Sequence, residues 1–441
     1  MSGRKRKTLS LKAIKKIHDD RSIDIKKPFL IITSPLPEAT VSTALICSSI
    51  LKSGGLFHTT FLEPVVPIER INALRQAHST STLLFVGIDT VGKKRVKKGT
   101  SYPLFIGGTH ESDQVRQLRI GDESSISEAA YVIAKESMTT TPRELQLAAA
   151  GALVRNFPQI KLKGAAKEMV SAAQKDGLIQ EHKGFRIFGA NFLPLNEVLA
   201  YSTRPYLEGL SGKRDACEKI YEEANIPFSK FRMPMSSLTN EEAQSLTTLL
   251  LPRLDSATIP LVLGQDFSLT KEREDSPVQL VSGIKSMAES TWGLQEYGTS
   301  LAILMGDRAQ LLRRFLDSHI AHAKEVILAF EAMRKTLGEM EAEITDSTAI
   351  IRTTNTKRRT LVDLARLVLG TSLVPVDKVI VITENEGMAL TWKPGKVRLQ
   401  GLLSAVEKQD ISSTASSTES IIVENTSEEA QQGIQRVLQD L

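Results

Sequence analysis

Cysteine is nearly absent from the sequence. Two residues in 441, Cys47 and Cys217, stand far apart without CxxC partners. That excludes a zinc module and a disulfide framework, and it suits a reduced, cytoplasmic compartment. No apolar run approaches the roughly 20 residues a membrane span needs, and the amino terminus has no apolar signal core. Aromatic residues make up only 5%. No basic–aromatic stripe of the kind that stacks nucleic-acid bases is visible, so any DNA contact should be electrostatic and salt-sensitive. Histidine is scarce as well: seven residues, none after His322.

Charge of one sign is missing over most of the chain. The formal net charge is +5, but residues 1–27 carry ten Lys or Arg against three Asp, and the remainder is slightly acidic. The basic segment reads as a cationic arm and the start of a helix, able to touch DNA or an acidic partner and equally well a solubilising tail. A second run, "GKKRVKKG", sets Lys93, Lys94, Arg95, Lys97 and Lys98 between glycines in a loop. These five are the DNA-binding candidates, although such runs are more often solvated loops.

What is present is an alternation of strands and helices. "PFLIITS", "LFHTTFLE", "STLLFVGID" and "SYPLFIGG" read as strands. "IERINALRQA", "SISEAAYVIAKES" and "TPRELQLAAAGALV" read as helices, the last opened by Thr141 and Pro142. That order implies an α/β fold with a mostly parallel sheet covered on both faces, and ligands outside the carboxyl ends of its strands. Those ends hold the turns "SPLPEAT", "GIDTVG" and "GGTHESD".

Six segments follow from the pattern: a basic arm and leading helix at 1–25; a parallel-sheet domain at 26–215; a mixed, largely helical insertion at 216–306; a connecting helix at 307–338, capped by Asp307; a smaller α/β domain at 339–411; and a flexible Ser/Thr stretch with a terminal helix at 412–441. His319 and His322 share one face of the long helix, where solvated side chains are expected over a metal pair. Arg204, in "STRPYL", is suited either to bracing an interface or to reading a phosphate.

The blocks "STALI", "GDESSISEAAYVIAKE", "ILMGDR" and above all "GANFLPLNEVLAYSTRPYLEGLSG" (Gly189–Gly212) resemble the DHH phosphoesterase superfamily. The likeness is to its archaeal branch of RecJ-like proteins and the GINS-associated nuclease, over about residues 26–405. The resemblance implies a DHH-like sheet domain, a long connecting helix and a DHHA1-like second domain. Active members hold two divalent cations, usually manganese, which activate water against a phosphodiester; such ions need several oxygen and imidazole ligands.

Placed on the family's motifs, the ligand positions are largely changed. The first motif falls on Ser34, Leu36, Glu38 and Ala39, the second on Asp89. The Asp-His-His motif falls on Gly108, Thr109 and His110, and a later aspartate on Arg155. Glu38, Asp89 and His110 are the only residual metal candidates, and Asp89 is as readily a turn cap. The second domain's histidine-bearing phosphate motif has no counterpart.

The resemblance therefore implies a pseudonuclease without cofactor or catalytic residues, akin to the DHH-derived cofactor of the CMG replicative helicase. Such a protein would scaffold GINS and MCM, with single-stranded DNA as a further partner and no membrane. The alternatives are a Mn-dependent single-strand-specific exonuclease with a rearranged site, using Mn or Mg, and a DNA-repair accessory factor.

Overall fold

The computed structural model describes residues 23–91, 103–107, 116–118, 125–336, 342–344, 348–353, 356–371, 373–374, 376–383, 387–425 and 427–439. These fall into two compact units. The first comprises 1–183 with 265–291 and 296–312; the second comprises 184–264 with 292–295 and 313–441. The expected sheet domain at 26–215 is thus divided, because residues 184–215 pack with the second unit. The basic arm, the run 93–98 and the motif Gly108–Thr109–His110 lie outside the described residues.

The first unit is built on a five-stranded parallel sheet. Its strands are β1 (Phe29–Thr33), β2 (Phe57–Phe61), β4 (Thr82–Val86), β6 (Leu104–Ile106) and β7 (Arg116–Leu118), in the order β2-β1-β4-β6-β7. Beside it, β3 (Val65–Pro67) pairs with β5 (Asp89–Val91). The apolar run FLIIT makes β1 the central strand. It is buried along its whole length, with Phe29 opposite both Phe57 and Thr82, as a parallel strand covered on both faces requires. Helix α1 (Pro37–Lys52) is the crossover to β2, α2 (Ile68–Ala77) precedes β4, and α3 (Ile126–Ser137), α4 (Pro142–Asn156) and α5 (Gly164–Lys175) follow the sheet.

Helix α1 is buried around most of its circumference although it is rich in Ser and Thr. Its hydroxyls turn back on the helix: Ser42 Oγ donates to Glu38 O (2.8 Å) and Ser49 Oγ to Leu45 O (3.0 Å). Hydroxyls satisfied in this way can be buried without a desolvation penalty. Helix α4 opens at Thr141 and Pro142, as the sequence predicts, and Thr141 and Glu144 form a capping box there. Glu144 also receives Lys52 Nζ (2.6 and 2.8 Å) and Ser48 Oγ (2.8 Å), which ties the start of α4 to the end of α1. Burial alone would raise the Glu144 carboxyl, but hydrogen bonds from Lys52, Thr141 and Ser48 outweigh it and lower the pKa. Strands β8 (Ile179–Phe185) and β9 (Leu263–Leu269) form a separate two-stranded sheet.

In the second unit, residues 185–263 surround a core of short helices in which the Tyr221 hydroxyl donates to Leu195 O at 2.6 Å. The long helix α6 (Gln310–Thr336) follows, with Asp307 Oδ1 accepting from the backbone N–H of Ala309 and Leu312. A six-stranded sheet completes the unit: β10 (Ala342–Ile344), β11 (Thr348–Arg352), β12 (Lys378–Thr383), β13 (Gly387–Trp392), β14 (Ser413–Ser417) and β15 (Ser420–Val423), ordered β10-β11-β12-β13-β15-β14. On β12 the side chains alternate. Val379 and Val381 pack with α7 (Arg358–Gly370), while Ile380 and Ile382 pack with α8 (Leu399–Glu407) and α9 (Glu428–Gln439). The Ser/Thr stretch expected to be flexible is instead β14 and the turn into β15. Ser417 Oγ meets Ser420 Oγ at 2.6 Å, and the Trp292 indole N–H donates to Ala415 O. Among the described residues no helix is long and apolar enough to cross a membrane.

Candidate functional site

The carboxyl end of β1 runs into Ser34, two prolines and the first turn of α1. Ser34 N donates to Val86 O, which fixes this turn beside the end of β4. Gly87 then turns away with φ +64°, and a Cβ there would lie 2.7 Å from Ala39 Cβ and 2.8 Å from Ser34 Oγ. Only glycine permits that approach. Leu36 is the N-cap of α1 and offers no side-chain acceptor.

Glu38, in the first turn of α1, is 8% exposed. Its Oε1 accepts from Ser127 N at 3.2 Å, and its Oε2 lies 4.0 Å from Arg155 Nη1. Burial pushes its pKa up to about 7, against the lowering charge of Arg155. Glu128, in the first turn of α3, is fully buried, and among the described residues neither carboxyl oxygen makes a well-formed hydrogen bond. Burial, with Glu38 adding to it, raises that pKa to about 7 also. Ser34 Oγ is likewise buried and has no hydrogen-bond partner among the described residues.

The sequence singles out Ser34, Leu36, Glu38, Asp89 and Arg155 here. The structure brings Ser34 to the turn that leads to Glu38, and Arg155 to Glu38 itself. Asp89 instead opens β5, its N–H donating to Pro64 O at 2.7 Å. Among the described residues no three or more His, Cys, Asp or Glu side chains converge as a metal site. Sequence reasoning misses Glu128: in "SISE" it reads as the third residue of a capping box, and only half of that box forms. Ser125 Oγ accepts from Glu128 N (3.1 Å), while the return bond from the Glu128 carboxyl to the Ser125 N–H is not well formed.

Among the described residues, which do not include His110, this donor set does not fit a pair of divalent cations. One position is aliphatic, another is a guanidinium, and Glu38 is already engaged by a backbone N–H and that guanidinium. What the arrangement can do chemically is neutralise itself.

No family model matches the sequence, and no curated protein matches it either. Among solved structures, CDC45 from Entamoeba histolytica superposes with a TM-score of 0.65 at 11% identity, covering 97% of this chain and 97% of that one. The fold is that of CDC45. RecJ of Thermus thermophilus in complex with Mn2+ gives 0.48 at 12% identity, over 98% of this chain and 55% of that one. Exonuclease RecJ bound to manganese gives 0.47 at 12%, over 100% and 96%. The likeness to CDC45 shows the fold alone, and it is the DHH-like α/β fold that the sequence resemblance implied.

In the second unit of this CDC45-like fold lies a buried charge cluster. Asp363, on α7, accepts from the Arg204 guanidinium, and its other oxygen meets His322 Nε2 at 2.8 Å. Arg366 Nη1 stands 3.5 Å from the same carboxylate. His322 is 7% exposed, so the expectation of a solvated histidine pair is corrected. The His319 ring packs 4.4 Å from Phe188, and burial, then the charges of Arg204 and His322, lower its pKa to about 3. A group held neutral in this way is an apolar packing element. Of the two roles open to Arg204, the ion pair with Asp363 fits bracing. The Gly189–Gly212 block is tied down elsewhere too: Gly212 has φ +81°, and a Cβ there would be 2.6 Å from Ile327 on α6.

Proposed function

We propose that this chain is a non-catalytic, DHH-like replication protein that works by binding. In this reading it is a scaffold joining GINS and MCM in an archaeal replicative helicase, with no metal cofactor and no hydrolytic step. The observation that carries it is the Arg155 guanidinium set against Glu38 at the rim of the parallel sheet. At that corner an active relative needs an anionic ligand. A fold matching CDC45 from end to end supports the same reading.

Charge count gives the physical reason. Two close divalent ions require several anionic ligands to offset their mutual repulsion. Here one buried carboxylate faces a permanent cation, and Leu36 contributes nothing. Single-stranded DNA, if it binds, does so through surface cations in a sequence-blind manner.

Two measurements test this. Tagged full-length protein should recover GINS and MCM subunits at physiological salt; recovery of neither ends the replisome assignment. Incubated with single-stranded DNA and manganese, the protein should leave the DNA intact. Metal-dependent degradation that disappears in the Asp89→Ala, His110→Ala variant would reinstate the exonuclease.

A further inference from the structure

We propose that Arg155 is a resident counter-ion: its guanidinium stands beside the Glu38 carboxyl in the electrostatic place of the divalent cations. The residues concerned all lie in the first unit, and their arrangement does not depend on GINS or MCM.

Three helix ends meet here. Glu38 lies in the first turn of α1 and Glu128 in the first turn of α3, while Arg155 lies in the last turn of α4. Each charge sits at the end of its own helix where the backbone dipole favours its sign. Packing fixes the meeting. Ser42 Oγ and Ser127 Oγ are 3.0 Å apart, joining α1 to α3. A Cβ on Gly151 would come within 1.9 Å of Ser127 Oγ, so α4 reaches α3 closely only because residue 151 is glycine. The guanidinium one turn further along α4 is thereby held 4.0 Å from the Glu38 carboxylate.

Two buried carboxyl groups without a positive partner would be strongly unfavourable. In the implied two-metal site the partner is a pair of ions. Here the partner is covalently part of the chain, cannot lose its proton, and is present at every metal concentration. Glu38 feels this field most: the Arg155 charge is the largest influence lowering its pKa, whereas for Glu128 the Ser125 backbone N–H comes before Arg155. The disagreement between this donor set and a divalent pair is thus a substitution of charge for charge, and more than a loss of ligands.

The test is a thermal double-mutant cycle on the full chain at pH 8, where both carboxyl groups are largely ionised. Arg155→Met should lower Tm by about 3 °C or more, and adding Glu38→Gln should restore at least half of that loss. Millimolar manganese or EDTA should leave the Tm of the unaltered protein within about 1 °C. Additive effects in the cycle, an unchanged Tm for Arg155→Met, or a clear rise of the unaltered protein's Tm with manganese would each overturn the proposal. If Arg155→Met does not accumulate, the manganese titration of the unaltered chain decides alone.

Discussion

Arg204 and Asp363 are 159 positions apart in sequence and form one ion pair, with His322 on the other carboxylate oxygen. The pair binds the Gly189–Gly212 block to α7, and His322 brings in α6. Removing Asp363 leaves Arg204, Arg366 and His322 facing one another in a buried space, whereas removing Arg204 leaves Asp363 with two other partners. Asp363→Ala should therefore cost more than Arg204→Met, about 3–5 kcal/mol for the former. Urea denaturation of both variants checks the order, and equal losses would mean the carboxylate is not the hub.

Asp363 also sets an acid limit. Burial alone would raise its pKa, but Arg204 and His322 hold it well below the ordinary carboxylate value. A depressed pKa contributes stability that is present above the unfolded pKa and is lost as pH falls through the folded one. Melting temperature should drop below about pH 4, and Asp363→Asn should flatten that drop while lowering stability at neutral pH.

Glu38 and Glu128 act with the opposite sign. Both are raised from 4.5 to about 7, so the folded state holds protons that the unfolded state has released. Their contribution is complete below pH 4.5 and is lost as pH rises through 7, with an upper bound of about 3 kcal/mol for each. Stability should decline from about pH 4.5 to 7 and level off above that, and Glu128→Gln should remove part of that slope. A flat profile in the unaltered protein would show that these groups are not shifted.

Gly151→Ala isolates packing from charge. The added methyl group meets Ser127 Oγ, which is itself held by Ser42, so α4 must move away from α3. The expected cost is about 1–3 kcal/mol, although alanine favours helices over glycine. A gain in stability on calorimetry would mean that the α3–α4 approach is looser than these distances state.

The parts of this fold legible in sequence are those fixed by local rules. Thr141-Pro142-Arg143-Glu144 marks a helix start because the cap, the first-turn proline and the reciprocal glutamate are all adjacent in sequence. The apolar run FLIIT marks a central strand for the same kind of reason. Ser412–Ser420 misleads because its composition is that of a linker. It is a strand because Ser413–Ser417 pairs antiparallel with β15 and the Trp292 indole N–H donates to Ala415 O, and its composition reports neither partner. His322 misleads likewise: spacing along α6 is silent about a carboxylate 41 residues away. At the candidate site, Leu36 and Arg155 are visible in sequence as the positions where the family resemblance would place metal ligands. Glu128 hides inside an ordinary helix-start signal, since only tertiary packing leaves its oxygens unpaired.

The contact between Arg155 and Glu38 makes one further expectation sharp. Restoring acids by Leu36→Asp and Gly108→Asp should not revive manganese-dependent cleavage of single-stranded DNA. With both acids restored, the Arg155 guanidinium still faces Glu38 and opposes a cation there. Effective charge at the corner, more than the number of oxygens, decides whether a divalent ion is held. Replacing Arg155 by Asp in the same background should therefore raise manganese affinity, read by calorimetric titration, more than either restored acid alone. Cleavage recovered by Leu36→Asp and Gly108→Asp with Arg155 intact would show that the guanidinium does not control the site.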